Sequence, residues 1–145
     1  MKAKSIYGNS PEDIQSALAL SLAEGFIPTL AICFISVNQD RITVREILDQ
    51  HDIDVFGATS CGEFVNGHQS KGEIAILLMD LSREAFSIVF EEIGEQSIQD
   101  AASKVANSAL SNFANSALIV CSTGVTKEGE LFDGMTLVYE LSEAF

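Results

Sequence analysis

The chain has 145 residues, 47% of them hydrophobic, and a formal net charge of -13 from 21 acidic against 8 basic residues. That length suits one domain, and a folded chain of this size buries roughly 70% of the surface its unfolded form exposes, so no disulfide staple is required. The acidic balance excludes nucleic acid and an anionic membrane surface as partners, because both are bound through Lys and Arg.

The acids are spread along the sequence, as on a solvated surface. Cys33, Cys61 and Cys121 are odd in number and form no CxxC, which argues against a zinc site or a redox dithiol. No cofactor is expected. Met1 to Tyr7 lacks the apolar stretch of a signal peptide, and no apolar run is long enough for a membrane helix. Unpaired thiols without an export signal predict a cytoplasmic protein.

Along the chain, Ala3 to Tyr7 reads as a first strand. Ser10-Pro11-Glu12-Asp13 starts a helix: Ser10 caps, Pro11 suits the first helical position and Asp13 closes a capping box. Ile14, Ala17, Leu18 and Leu22 form its apolar face, and Gly25 ends it. Thr29 to Ser36 is apolar on both faces, the pattern of a central covered strand. Asp40 opens a second helix with Val44, Ile47 and Leu48 inward. Ile53 to Gly57 is a short strand, followed by a glycine-containing loop from Ala58 to Gly72. Glu73 to Leu81 and Ala85 to Ile93 are predicted to pair as an antiparallel hairpin across Ser82-Arg83-Glu84.

Ser97 and Asp100 form another capping box, before a helix with Ile98, Ala101, Val105, Ala109 and Phe113 at helical spacing. Ala117 to Ser122 is predicted to be a second buried strand. A loop from Thr123 to Glu130 leads to a last helix with Leu131, Met135, Val138, Leu141 and Phe145 on one stripe. Ser10–Gln50 and Ser97–Phe145 share an order of capped helix, buried strand, polar loop and helix. The second stops in mid-pattern, so the sequence reads as one domain over 1–145 that is incomplete beyond Phe145.

The stretch Gly57-Ala58-Thr59-Ser60-Cys61-Gly62-Glu63-Phe64 carries the most chemistry. It leaves a buried strand, and open α/β sheets bind ligands beyond the carboxyl ends of their strands. Its small residues admit a ligand to the backbone, and Thr59 and Ser60 supply hydroxyls. A tight turn that simply needs glycines explains the same residues. Ala58 to Gly62 approaches the nucleophile elbow G-x-S-x-G, but Asn66-Gly67 signals a turn where the elbow needs a helix. A reactive Cys61 would need a nearby cation, and Glu63 opposes a thiolate. His51 with Asp52 and Asp54, and His68 with Glu63, lack metal-ligand spacing. Gly124 and Gly129 form no phosphate loop, since Glu130 follows Gly129.

In this order, TLAICFIS, IDVFGATSCGEF and GEIAILLMDL resemble the N-terminal segment of FIST domains. Gly57, Thr59, Ser60, Gly62 and Glu63 meet a G-x-[ST]-[ST]-x-G-E motif. The resemblance implies a sensory input module of a signal-transduction protein that binds a small molecule such as an amino acid and reports to a downstream signalling domain or protein. A complete family member continues past the point where this chain stops.

The expected architecture is therefore α/β, three-layered, with a mixed sheet in which Thr29–Ser36 and Ala117–Ser122 are central parallel strands beside the antiparallel hairpin. The expected ligand-binding residues are Thr59, Ser60, Cys61, Gly62 and Glu63, with Ser122, Thr123 and Gly124 emerging on the same side from a parallel strand. Glu63 is a partner for a ligand ammonium or else a solvated carboxylate. The other readings are an interaction or scaffold domain without a ligand, and a hydrolase using Ser60 or Cys61.

Overall fold

Ser10, Asp40 and Ser97, the three residues expected to start helices, all do so. In the computed structural model, which describes residues Met1–Phe145, each side chain accepts a backbone N–H of the first helical turn. Ser10 accepts from Asp13, and the Asp13 carboxylate reaches back to the N–H of Asn9 at 2.9 Å. The chain divides into two compact units, Met1–Phe86 and Ser87–Phe145.

In the first unit the elements in order are β1 (Lys2–Gly8), α1 (Pro11–Ala23), β2 (Leu30–Ser36), α2 (Arg41–Asp49), β3 (Asp54–Ser60), β4 (Glu63–Val65), β5 (His68–Ser70) and β6 (Ile74–Asp80). Four strands form a mixed sheet in the order β1-β6-β2-β3. β2 and β3 are parallel in the register Leu30↔Asp54 to Ser36↔Ser60, and β6 runs antiparallel to both β1 and β2. β1 is thus parallel to β2, and β1, β2 and β3 all end at the same edge. The mixed α/β class read from the sequence is the class the chain has.

Strand alternation sorts the core. Ala31, Cys33 and Ile35 of β2 and Ile74, Ile76 and Leu78 of β6 share one face. Against it pack Ile14 and Leu18 of α1 and Val44, Ile47 and Leu48 of α2, all buried. The opposite face carries Ile32, Phe34, Leu77 and Met79, of which Phe34 is exposed.

One expectation fails here. Ala85 to Ile93 is not a strand: a short turn of 3-10 helix at Arg83–Ala85 is followed by unpaired chain. A strand has two hydrogen-bonding edges, and those of β6 are occupied by β1 and β2. No edge is left for the segment that follows β6 in sequence. Conversely, the loop expected from Ala58 to Gly72 is partly ordered. β3 continues to Ser60, and β4 and β5 form a two-residue hairpin on Asn66 and Gly67, with φ of 49° and 81°. Two positive φ values in succession are the signature of a type I′ turn.

The second unit holds α3 (Ile98–Asn112) and α4 (Gly134–Ala144). Ala102 and Ala106 of α3 pack with Leu141 of α4, supported by Val105 and Leu137. α4 starts later than expected, with Asp133 as its cap. Leu131 lies before it, in a single bridge to Val125, and is exposed. Ala117 to Ser122 is not a strand, which corrects the expectation of a second central strand. The only β bridge in Ser87–Phe145 is Val125↔Leu131, so its own unit offers the segment no strand to complete its hydrogen bonds.

Candidate functional site

The carboxyl ends of β1, β2 and β3 lie at one end of the sheet, with the start of β6 between β1 and β2, and the loops that leave them are tied together by polar side chains. Gln39, just before α2, donates its amide to the carbonyls of Asn9 at 2.8 Å and Gly72 at 2.7 Å. It thereby joins the exits of β1 and β2 to the entry of β6. Ser36, the last residue of β2, is buried; its N–H donates to the Glu73 carbonyl at 3.1 Å and its hydroxyl accepts from Asn38.

The centre of this network is Glu63, only 2% exposed. Its Oε1 accepts the Ser60 hydroxyl at 2.6 Å. Its Oε2 accepts the N–H groups of Gly72 at 3.0 Å and Glu73 at 3.2 Å. A buried carboxylate is tolerable only when its oxygens are filled in this way. Glu63 is therefore neither a solvated surface group nor a bare counter-charge. It fastens the exit of β3 to the entry of β6, with the β4–β5 hairpin between them.

The hairpin packs against β1, β2 and β6 at this end of the sheet, with Val65 buried beneath it. The His68 ring lies 5.1 Å from that of Tyr7 and its Nε2 is 3.1 Å from the Glu73 carboxylate. His68 is thus engaged by Glu73, while Asp52 and Asp54 both pair with Arg83.

Gly57 sits in β3 opposite Cys33 of β2. A Cβ there would fall 1.8 Å from the Cys33 carbonyl oxygen, so only glycine allows the two backbones to approach this closely. Beyond it, Thr59, Cys61 and Gly62 are exposed at the rim, whereas Ser60 is half-buried and spends its hydroxyl on Glu63. The segment after Ser60 enters a strand instead of the helix that a nucleophile elbow requires. Cys33, beneath the rim, is buried, and burial pushes its thiol up to about 11.

Thr59, Ser60, Cys61, Gly62 and Glu63 are thus contiguous at one sheet end. Ser122, Thr123 and Gly124 belong to the second unit, where Thr123 bonds locally to Val125 and the Gly124 carbonyl accepts from Phe132 at 3.1 Å. No strand precedes them, so the parallel-strand argument that aimed them at the same side as Thr59 does not apply. Gln39, Ser36, Gly72 and Glu73 were not singled out in the sequence. A lone Gln in a polar loop has no distinguishing pattern, and backbone groups carry none.

No helix is long and apolar enough to cross a membrane. No curated protein matches the chain. No solved structure matches it either. One family model does, the FIST N domain, over residues 29–142. The matched span opens at the start of β2 and includes the Gly57-to-Glu63 motif, the hairpin and β6. A match over most of the chain, with the motif residues assembled at one sheet end, places this chain in the FIST N domain family.

Proposed function

We propose that the chain is the sensory part of a signal-transduction protein and that it binds a small polar metabolite, of which an amino acid is the leading class. The observation that carries this reading is the family match over residues 29–142, for the family is consistent with a sensory role. The geometry supports a location for the ligand. Three mutually parallel strands end there, β2 and β3 as neighbours, and such ends are where open α/β sheets take ligands. Thr59, Cys61 and Gly62 offer a hydroxyl, a thiol and an unhindered backbone at the rim. Ser60 and Glu63 hold that rim in place, so the pre-organisation costs nothing when the ligand arrives. The module acts without catalysis, in the cytoplasm, and passes its state to a downstream signalling domain or protein.

A thermal-shift screen of amino acids and related metabolites tests the reading, since a ligand that binds only the folded state raises the melting temperature. The expected result is a hit whose stabilisation falls when Thr59 is changed to Val, with the melting temperature of the empty protein unchanged. Turnover abolished by Cys61→Ala would instead make the protein an enzyme.

A further inference from the structure

The β4–β5 hairpin turns on the one Asn-Gly pair in the sequence; Asn9, Asn38, Asn107, Asn112 and Asn115 all precede larger residues. Asn66 and Gly67 are both exposed. The Gly67 N–H has no backbone hydrogen-bond partner, and a Cβ at Gly67 would meet nothing within 4 Å. No side chain shields that nitrogen and no bond ties it down.

A backbone nitrogen in this position is an internal nucleophile. It attacks Cγ of the preceding asparagine, forming an N–Cγ bond. The side-chain nitrogen leaves as ammonia and carries away the proton of the attacking N–H. Water then opens the five-membered imide at either carbonyl. One opening gives aspartate with the original backbone. The other gives isoaspartate, in which the chain runs through Cβ and is one atom longer. Water is the only co-reactant, and nothing is oxidised or reduced.

The closed turn opposes the first step. Asn66 is in the left-handed region, with φ of 49°. There ψ is about +47°, which holds the next nitrogen away from Cβ. Ring closure needs that nitrogen on the same side as Cβ, so attack proceeds only from an open hairpin. The hairpin has three residue pairs, Glu63↔Ser70 to Val65↔His68. Its base is held by the Glu63 carboxylate on Ser60, Gly72 and Glu73. So short an element opens locally while the sheet stays folded.

We infer that Asn66 is a self-modifying site, converted to aspartate and isoaspartate at a rate gated by the Glu63 network. Aspartate tolerates the left-handed conformation and recloses the turn. Isoaspartate does not. A two-residue turn sets the register of its strands, so an added backbone atom breaks the Val65↔His68 pair. It also draws His68 off Tyr7 and Glu73. The conversion is one-way, so the modified fraction records how often the hairpin has opened. This inference is independent of ligand binding.

The test is peptide mass mapping of the intact chain during incubation at neutral to mildly alkaline pH, with isoaspartate counted by an isoaspartyl methyltransferase. Native wild type, denatured wild type, Glu63→Ala and Ser60→Ala are compared, and circular dichroism verifies that the variants are folded. In the native wild type, Asn66 should react before the other five asparagines, yet more slowly than in the denatured chain. Losing the bonds to a buried carboxylate eases opening by a factor of about ten, and Glu63→Ala should speed the native reaction by that factor. If Glu63→Ala does not fold, Ser60→Ala, which removes one donor to the carboxylate, decides the matter: it should also react faster than wild type. The isoaspartate form should lose amide protection in β4 and β5. An Asn66 that stays intact in the native chain overturns the inference. So do equal rates in the native and denatured chains, or a wild-type rate in either folded variant. An isoaspartate form whose hairpin remains protected overturns it as well.

Discussion

Glu63 shows how a residue's role depends on where its oxygens point. In the sequence it is the last polar member of a glycine-containing motif, equally suited to solvent or to a ligand. In the fold it accepts from Ser60, Gly72 and Glu73 while almost wholly buried. Glu63→Ala leaves those donors unpaired and should cost about 2–4 kcal/mol, measured by chemical denaturation. Glu63→Gln, which keeps the shape and one acceptor oxygen, should cost less. Gly57→Ala should cost about 2–3 kcal/mol, since the new methyl group must displace the Cys33 backbone. The thiols provide a check on burial. Cys61 and Cys121 are exposed and Cys33 is buried, with its thiol pushed up to about 11. A disulfide reagent should titrate two thiols in the native protein and the third only after unfolding. The motif was legible as a set of residues; the inward turn of Glu63 was not, because it depends on N–H groups nine and ten positions away.

Elements governed by local chemistry were legible in the sequence. Ser10, Asp40 and Ser97 cap their helices because each side chain reaches only two or three residues along the chain. The Asn66-Gly67 signal produced the I′ turn, and Gly67→Ala should weaken it by about 1–2 kcal/mol, read from the denaturation midpoint. Elements that depend on distant partners were not legible. β1 takes the edge of β6 that the sequence suggested for Ala85–Ile93, and no local pattern records that competition. Ala117–Ser122 has the composition of a strand and no partner in its unit. The cap of α2 also has a pH signature. Hydrogen bonds from the Thr43 backbone and hydroxyl, opposed by slight desolvation and joined by Ile42, hold the Asp40 carboxyl below its usual 3.8. A lowered folded value means the contribution is complete above 3.8 and disappears as the pH falls through the lowered value. The difference in melting temperature between wild type and Asp40→Ala should therefore be constant near neutrality and shrink in acid below that range.

At the scale of the whole molecule, apolar burial is unevenly distributed. The larger cluster, from Ile6 to Leu78, lies wholly in Met1–Phe86, whereas the cluster of Ser87–Phe145 is mainly two alanines and Leu141. Native-state hydrogen exchange should therefore be slowest in β2 and β6 and distinctly faster in α3 and α4. The larger cluster is also what positions the proposed site, because it fixes β1, β2 and β3 so that their ends coincide. The most direct test of that site is a backbone-amide NMR titration of the chain with the proteinogenic amino acids and related metabolites. Binding is predicted to shift the amides of Val37 to Gln39 and Thr59 to Gly62 while leaving β6 in place. Saturable shifts that avoid both loops, or no shift with any compound of the panel, would contradict it.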